Sequence, residues 1–95
     1  MIRLAILPVA LLATTPALAS YYRAQPVAQP SEAQFIAREN VWRCAGTNCT
    51  SPRTAIRPAI VCSTLVREVG ALSSFSVEGR AFSTEELENC YRRAR

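Results

Sequence analysis

Four cysteines spaced C-x4-C-x12-C-x27-C constrain this chain more than any other feature, because of what precedes them. Met1-Ile2-Arg3 is a short basic start, Leu4–Ala13 is an apolar run, and Ala17-Leu18-Ala19 has the small-x-small pattern of a cleavage site. Together they read as a secretory signal peptide, residues 1–19, cut between Ala19 and Ser20. The apolar run is too short to span a bilayer, and Pro8 and Pro16 would break a buried helix there. No Cys follows Ala19 to accept a lipid, and no second apolar run occurs. The expected product is Ser20–Arg95, periplasmic or secreted, soluble, and without a transmembrane segment after cleavage. Four Cys in an oxidising compartment are read first as two disulfides, and a domain this small, with a marginal core, needs them.

Local patterns place two of the cysteines on helices. In Arg57–Gly70, Pro58 suits the first helical position and pushes Arg57 out of the α region. Cys62, Leu65, Val66 and Val69 fall at i, i+3, i+4 and i+7, one apolar stripe, and Gly70 suits a left-handed stop. The second helix opens with a capping box, Ser83-Thr84-Glu85-Glu86, flanked by a Phe82/Leu87 staple. Leu87, Cys90, Tyr91 and Ala94 repeat the stripe. Glu85 and Glu86 at its start and Arg92, Arg93 and Arg95 at its end complement the dipole, and Glu88 and Arg92 form an i, i+4 pair.

Elsewhere the signal is of strands and turns. Ser20–Ala33, with its Gln and Pro and no apolar period, reads as a flexible arm. Glu39–Cys44 alternates as a strand should, whereas Ala33–Arg38 fits either a strand or a helical turn. Ala45-Gly46-Thr47-Asn48 is a tight loop from which Cys49–Ser51 can return antiparallel, until Pro52 ends the run. Phe75 and Val77 precede a turn at Glu78-Gly79, with Phe82 beyond it, which suggests a second hairpin. The fold class that follows is a small disulfide-stapled α+β domain over residues 34–95, with two helices packed on short antiparallel strands.

Three disulfide pairings are possible. Packing the two helical stripes together favours Cys62–Cys90, and the short loop favours Cys44–Cys49. Loop entropy makes the longer bridge worth about 3.6 kcal/mol and the shorter about 2 kcal/mol. A zinc site lacks a second close Cys pair and any His, and a redox role lacks C-x-x-C. No metal or cofactor is expected.

The side chains of most catalytic machinery are missing. There is no His, Asp or Lys, so Ser-His-Asp hydrolysis, His acid–base chemistry and lysine nucleophiles are excluded. No phosphate loop or dinucleotide fingerprint occurs. The expectation is a non-enzyme, a binding or structural module of the cell envelope. The alternatives are an inhibitor of an extracellular enzyme, or a thiol/disulfide-active or glutamate-dependent enzyme. Eleven Arg oppose seven Glu, and the net charge of +4 suits an anionic envelope component or an unknown protein partner, not nucleic acid. Trp42, Arg43 and Arg53, around the stapled loop, are the candidate partner contacts. Trp42 is also the natural core residue, and the arginines also fit an ordinary solvated loop. Oligomeric state is not legible.

The order Trp42-Arg43-Cys44, Cys49, Arg57-Pro58, Cys62, Val69-Gly70, Phe75, Gly79 and Cys90 resembles a family of small exported alphaproteobacterial proteins of unknown function. The resemblance runs from about Phe35 to Cys90. It implies an exported, cysteine-bearing domain and brings no catalytic residues.

Overall fold

A computed structural model describes residues 20–95. The expected signal peptide, residues 1–19, lies outside the described residues. The described chain forms β1 (Tyr22–Pro26), β2 (Gln34–Ala37), β3 (Asn40–Ala45), β4 (Asn48–Ser51), α1 (Pro58–Val69), β5 (Leu72–Val77), β6 (Arg80–Ala81) and α2 (Thr84–Ala94). The strands make one antiparallel sheet in the order β2-β3-β4-β1-β5-β6, with the two helices packed on it. The expected α+β class is the observed one.

The largest correction concerns the N-terminal segment. The stretch expected to be a flexible arm supplies β1, an interior strand paired with β4 on one side and β5 on the other. Tyr-Arg-Ala-Gln-Pro alternates buried and exposed, with Tyr22, Ala24 and Pro26 inward. A proline is tolerated inside this sheet because the register slips there: Gln25 faces Ser74 but Pro26 faces Leu72. The Ser73 hydroxyl donates to the Gln25 carbonyl across the irregularity (3.0 Å).

The remaining strands follow their turns. Residues 33–38 are not a helical turn, since β2 forms a hairpin with β3 through Arg38-Glu39. Arg38 takes φ 62°, a conformation that Gly or Asn would adopt at lower cost. The β3–β4 and β5–β6 hairpins lie where the turn chemistry places them. At the second, Glu78 (φ 53°) and Gly79 (φ 85°) both adopt the positive φ of a type I′ turn.

The inner face of the sheet carries the core. Trp42 from β3, Tyr22 from β1 and Phe75 from β5 are fully buried, with ring centroids 6.0–6.4 Å apart. Val61, Cys62 and Leu65 of α1 share this core. At one end, buried Asn40 donates to Ser51 Oγ (3.0 Å) and the Pro52 carbonyl (3.4 Å), and accepts from Thr54 Oγ1 (3.3 Å). The Tyr22 hydroxyl donates to the Ile56 carbonyl (3.4 Å), so these bonds hold the loop between β4 and α1. Burial, and to a lesser degree neighbouring Tyr21, raises the Tyr22 pKa above the ordinary tyrosine range.

The helix ends are secured by particular groups. Gly70 closes α1 with its N–H on the Val66 carbonyl (2.8 Å). Its φ of 85° and ψ of −157° are not the left-handed helical stop but an extended conformation that only Gly reaches readily. The capping box of α2 forms as expected, with Ser83 Oγ accepting from the Glu86 N–H (3.1 Å) and Glu86 accepting from the Ser83 N–H (2.8 Å). The i, i+4 pair does not form; Arg92 bonds Asn89 instead. Arg67 of α1 donates to the Ala94 and Arg93 carbonyls, both at 3.1 Å, and so caps the C-terminus of α2. The Tyr91 hydroxyl donates to the Leu72 carbonyl (2.6 Å) and accepts from the Leu72 N–H (3.2 Å). Leu72 needs this partner because β6 pairs only with Ser76 and Val77.

Both disulfides join the expected cysteines. Cys44 and Cys49 face each other across β3 and β4 with Cα atoms 4.0 Å apart. Cys62 and Cys90 tie α1 to α2 across 5.9 Å. Replacing Cys62 and Cys90 by Ala should lower the free energy of denaturant unfolding by about 1.6 kcal/mol more than the same change at Cys44 and Cys49, because the longer loop is released. Tyr91→Phe should cost about 1–2 kcal/mol in the same measurement, since it strips both Leu72 backbone groups of their partner.

Candidate functional site

With the helices on one face, the other face of the sheet is left uncovered by them. Strand alternation and register settle what it carries. One row crosses five strands: Gln34 beside Arg43, Arg43 beside Thr50, Thr50 beside Arg23, and Arg23 beside Ser76. A second row, towards the Gly46-Thr47 turn, holds Asn48, Gln25 and Ser74. Gln25 Nε2 donates to Asn48 Oδ1 (2.8 Å), and Ser74 Oγ donates to Gln25 Oε1 (3.3 Å). These bonds hold the amides and hydroxyl in one arrangement.

The electrostatics of this face are one-sided. All seven Glu lie in loops or helices, so none of the six strands bears an acidic residue. Arg43 reaches only the Gln34 side-chain oxygen, at 3.5 Å. Arg23 makes no ion pair among the described residues, where Arg80–Glu86 at 3.4 Å is the one such pair. Two strand spacings separate Arg23 from Arg43, which puts their Cα atoms roughly 10 Å apart. Around Arg23, over β4, β1 and β5, lies a hollow of about 300 Å³ whose polar lining is Arg23, Gln25, Asn48, Thr50, Ser74 and Ser76; Arg43 stands outside it, one strand beyond Thr50. The lining is rich in hydrogen-bond donors around an arginine with no carboxylate neighbour, an arrangement suited to an oxyanion.

The sequence-expected contacts fall apart in space. Trp42 is fully buried in the aromatic core and presents no surface to a partner. Arg53 lies past the end of β4, opposite to the stapled loop, with its guanidinium 5.7 Å from the centre of the Tyr21 ring. Of the three, Arg43 alone stands on the open face. Its counterpart two strands away is Arg23, which sequence reasoning misses because Ser20–Ala33 has the Gln and Pro content of an arm. The alternation of Tyr22-Arg23-Ala24-Gln25 was the available signal.

Two other hollows are less suited to an anion. The larger, about 460 Å³, is lined by Ala59, Phe82, Glu86, Asn89, Arg92 and Arg93. Glu86 places a carboxylate in it; the Ser83 backbone N–H, then Arg80, hold that carboxyl below the usual range. The third, about 330 Å³, carries Glu32 and Glu68 with Phe35 and Val69. Among the described residues no three Cys or Glu side chains gather as a metal site would require, and no helix is long and apolar enough to cross a membrane.

No curated protein and no solved structure matches the chain. A family of unknown function, DUF8200, matches residues 6–92, nearly the whole sequence, and the chain belongs to that family.

Proposed function

We propose that the protein is an exported, non-enzymatic binding module that docks phosphate-bearing anionic surfaces of the cell envelope on the open face of its sheet. The observation that carries this reading is the row Arg43–Thr50–Arg23, two arginines on strands that bear no acid. Export rests on the leader pattern of Met1–Ala19, and two disulfides are compatible with an oxidising compartment. Cleavage after Ala19 leaves β1, which begins at Tyr22, whole. The absence of His, Asp and Lys from the sequence argues against catalysis. A glutamate-dependent enzyme would have to work from the Glu32/Glu68 hollow. A thiol-dependent one would first have to open a disulfide, since no described cysteine is free.

Co-sedimentation with phosphatidylglycerol-containing vesicles, against phosphatidylcholine alone, tests the proposal. Binding should require the anionic lipid and weaken as salt rises. At about 1 kcal/mol for each basic residue at such a surface, Arg23→Gln with Arg43→Gln should weaken it about 30-fold. Arg53→Gln, beyond the end of β4 and outside the Arg43–Thr50–Arg23 row, should weaken it less than either change within the row. Binding that ignores salt, or a double variant that binds like the parent, overturns the reading.

A further inference from the structure

The two edges of the sheet are treated differently. At one, β6 is only two residues long, Arg80 is held by Glu86 of the α2 cap, and Tyr91 occupies the exposed backbone of Leu72. These are devices that keep an edge from pairing. At the other, Gln34-Phe35-Ile36-Ala37 contains no charge, no proline and no bulge, and Ile36 is 65% exposed. The Ala33 carbonyl accepts from the Cys44 N–H (2.7 Å), so residue 33, and by alternation 35 and 37, turn their backbone groups towards β3. Gln34 and Ile36 therefore turn theirs outward, where no strand among the described residues meets them.

We propose that the occupant of this edge is a second copy of the chain, with the two β2 strands antiparallel about a two-fold axis at Phe35. The strand is self-complementary in that register and no other partner is needed to explain it. Gln34 of each copy faces Ile36 of the other, and each such pair exchanges both N–H···O bonds from the outward groups. Phe35, half-buried in the single chain, faces Phe35 of the second copy on the side of the helices. Just beyond the strand ends, the same register sets Glu32 of one copy across from Arg38 of the other, in its β2–β3 turn, and the symmetry repeats that opposite-charge pair. A register centred on Ile36 instead sets Arg38 against Gln34 and loses it. The joined sheet also places both copies' Arg43–Thr50–Arg23 rows on one continuous face, which gives a surface-bound dimer the benefit of two linked attachments.

Sedimentation velocity of the disulfide-intact protein tests this. A four-residue edge makes a small interface, so association should appear between about 10 µM and 1 mM. Ile36→Pro removes an N–H that the single chain does not use, so the fold should survive, as thermal melting can verify, while association weakens at least about tenfold. Glu32→Arg and Arg38→Glu should each weaken the dimer, and the two together should restore it, because the charges are exchanged across the axis. Arg23→Gln with Arg43→Gln should leave association intact, which separates this inference from the anion-binding one. A monomer at every concentration, a folded Ile36→Pro variant that associates as tightly as the parent, or charge-exchange variants that do not rescue one another would overturn it.

Discussion

The sheet depends on one strand. β2, β3 and β4 form a meander, β5 and β6 form a hairpin, and among the described residues β1 alone joins them. Neither disulfide performs that task. Cys44–Cys49 lies within the meander and Cys62–Cys90 within the helical layer, so both staple units that are already local or adjacent. What couples the two halves of the sheet is the hydrogen bonding of Tyr22–Pro26 on both sides and the burial of Tyr22 between Trp42 and Phe75. The core is thus completed by the first segment of the described chain, paired with strands that come more than twenty residues later.

The same strand sets the chemistry of the open face. Tyr22 and Ala24 point inward because the helices cover that side, and the period of two then forces Arg23 and Gln25 outward. Pairing with β4 brings Arg23 beside Thr50, and β3 adds Arg43 on the far side. No compensating acid stands on these strands, so a positive, donor-rich face arises from the register itself. Folding and the candidate binding surface are therefore consequences of one placement. A change that loosens β1 would be felt in both.

What the amino-acid sequence made legible was what has a local cause. Each helix announced itself through its start, its stripe and its stop: Pro58 and Gly70 for α1, the Ser83–Glu86 box for α2. Packing the two stripes together favoured Cys62 meeting Cys90 among the three pairings, and Cys44 and Cys49 lay close enough in sequence to pair across a hairpin. β1 was not legible because two of its three buried positions, Ala24 and Pro26, carry little hydrophobic signal, and its Gln and Pro content is that of a linker. The β2–β3 turn was obscure for a similar reason, since Arg38 occupies a positive φ without the Gly or Asn that marks such a turn. Trp42 and Arg53 lie close to Arg43 in sequence, but alternation sends Trp42 to the opposite face and the direction of β4 carries Arg53 to the opposite end. The site had to be assembled across strands, and strand order is what short-range patterns do not contain.

Native-state hydrogen exchange on the disulfide-intact protein tests the central role of β1 most directly. As an interior strand, β1 should show Arg23, Ala24 and Gln25 amides protected to within about tenfold of Trp42 and Phe75, all opening in one cooperative unit. Exchange of those three amides at the rate of an unstructured chain, while Trp42 and Phe75 stay protected, would contradict the account.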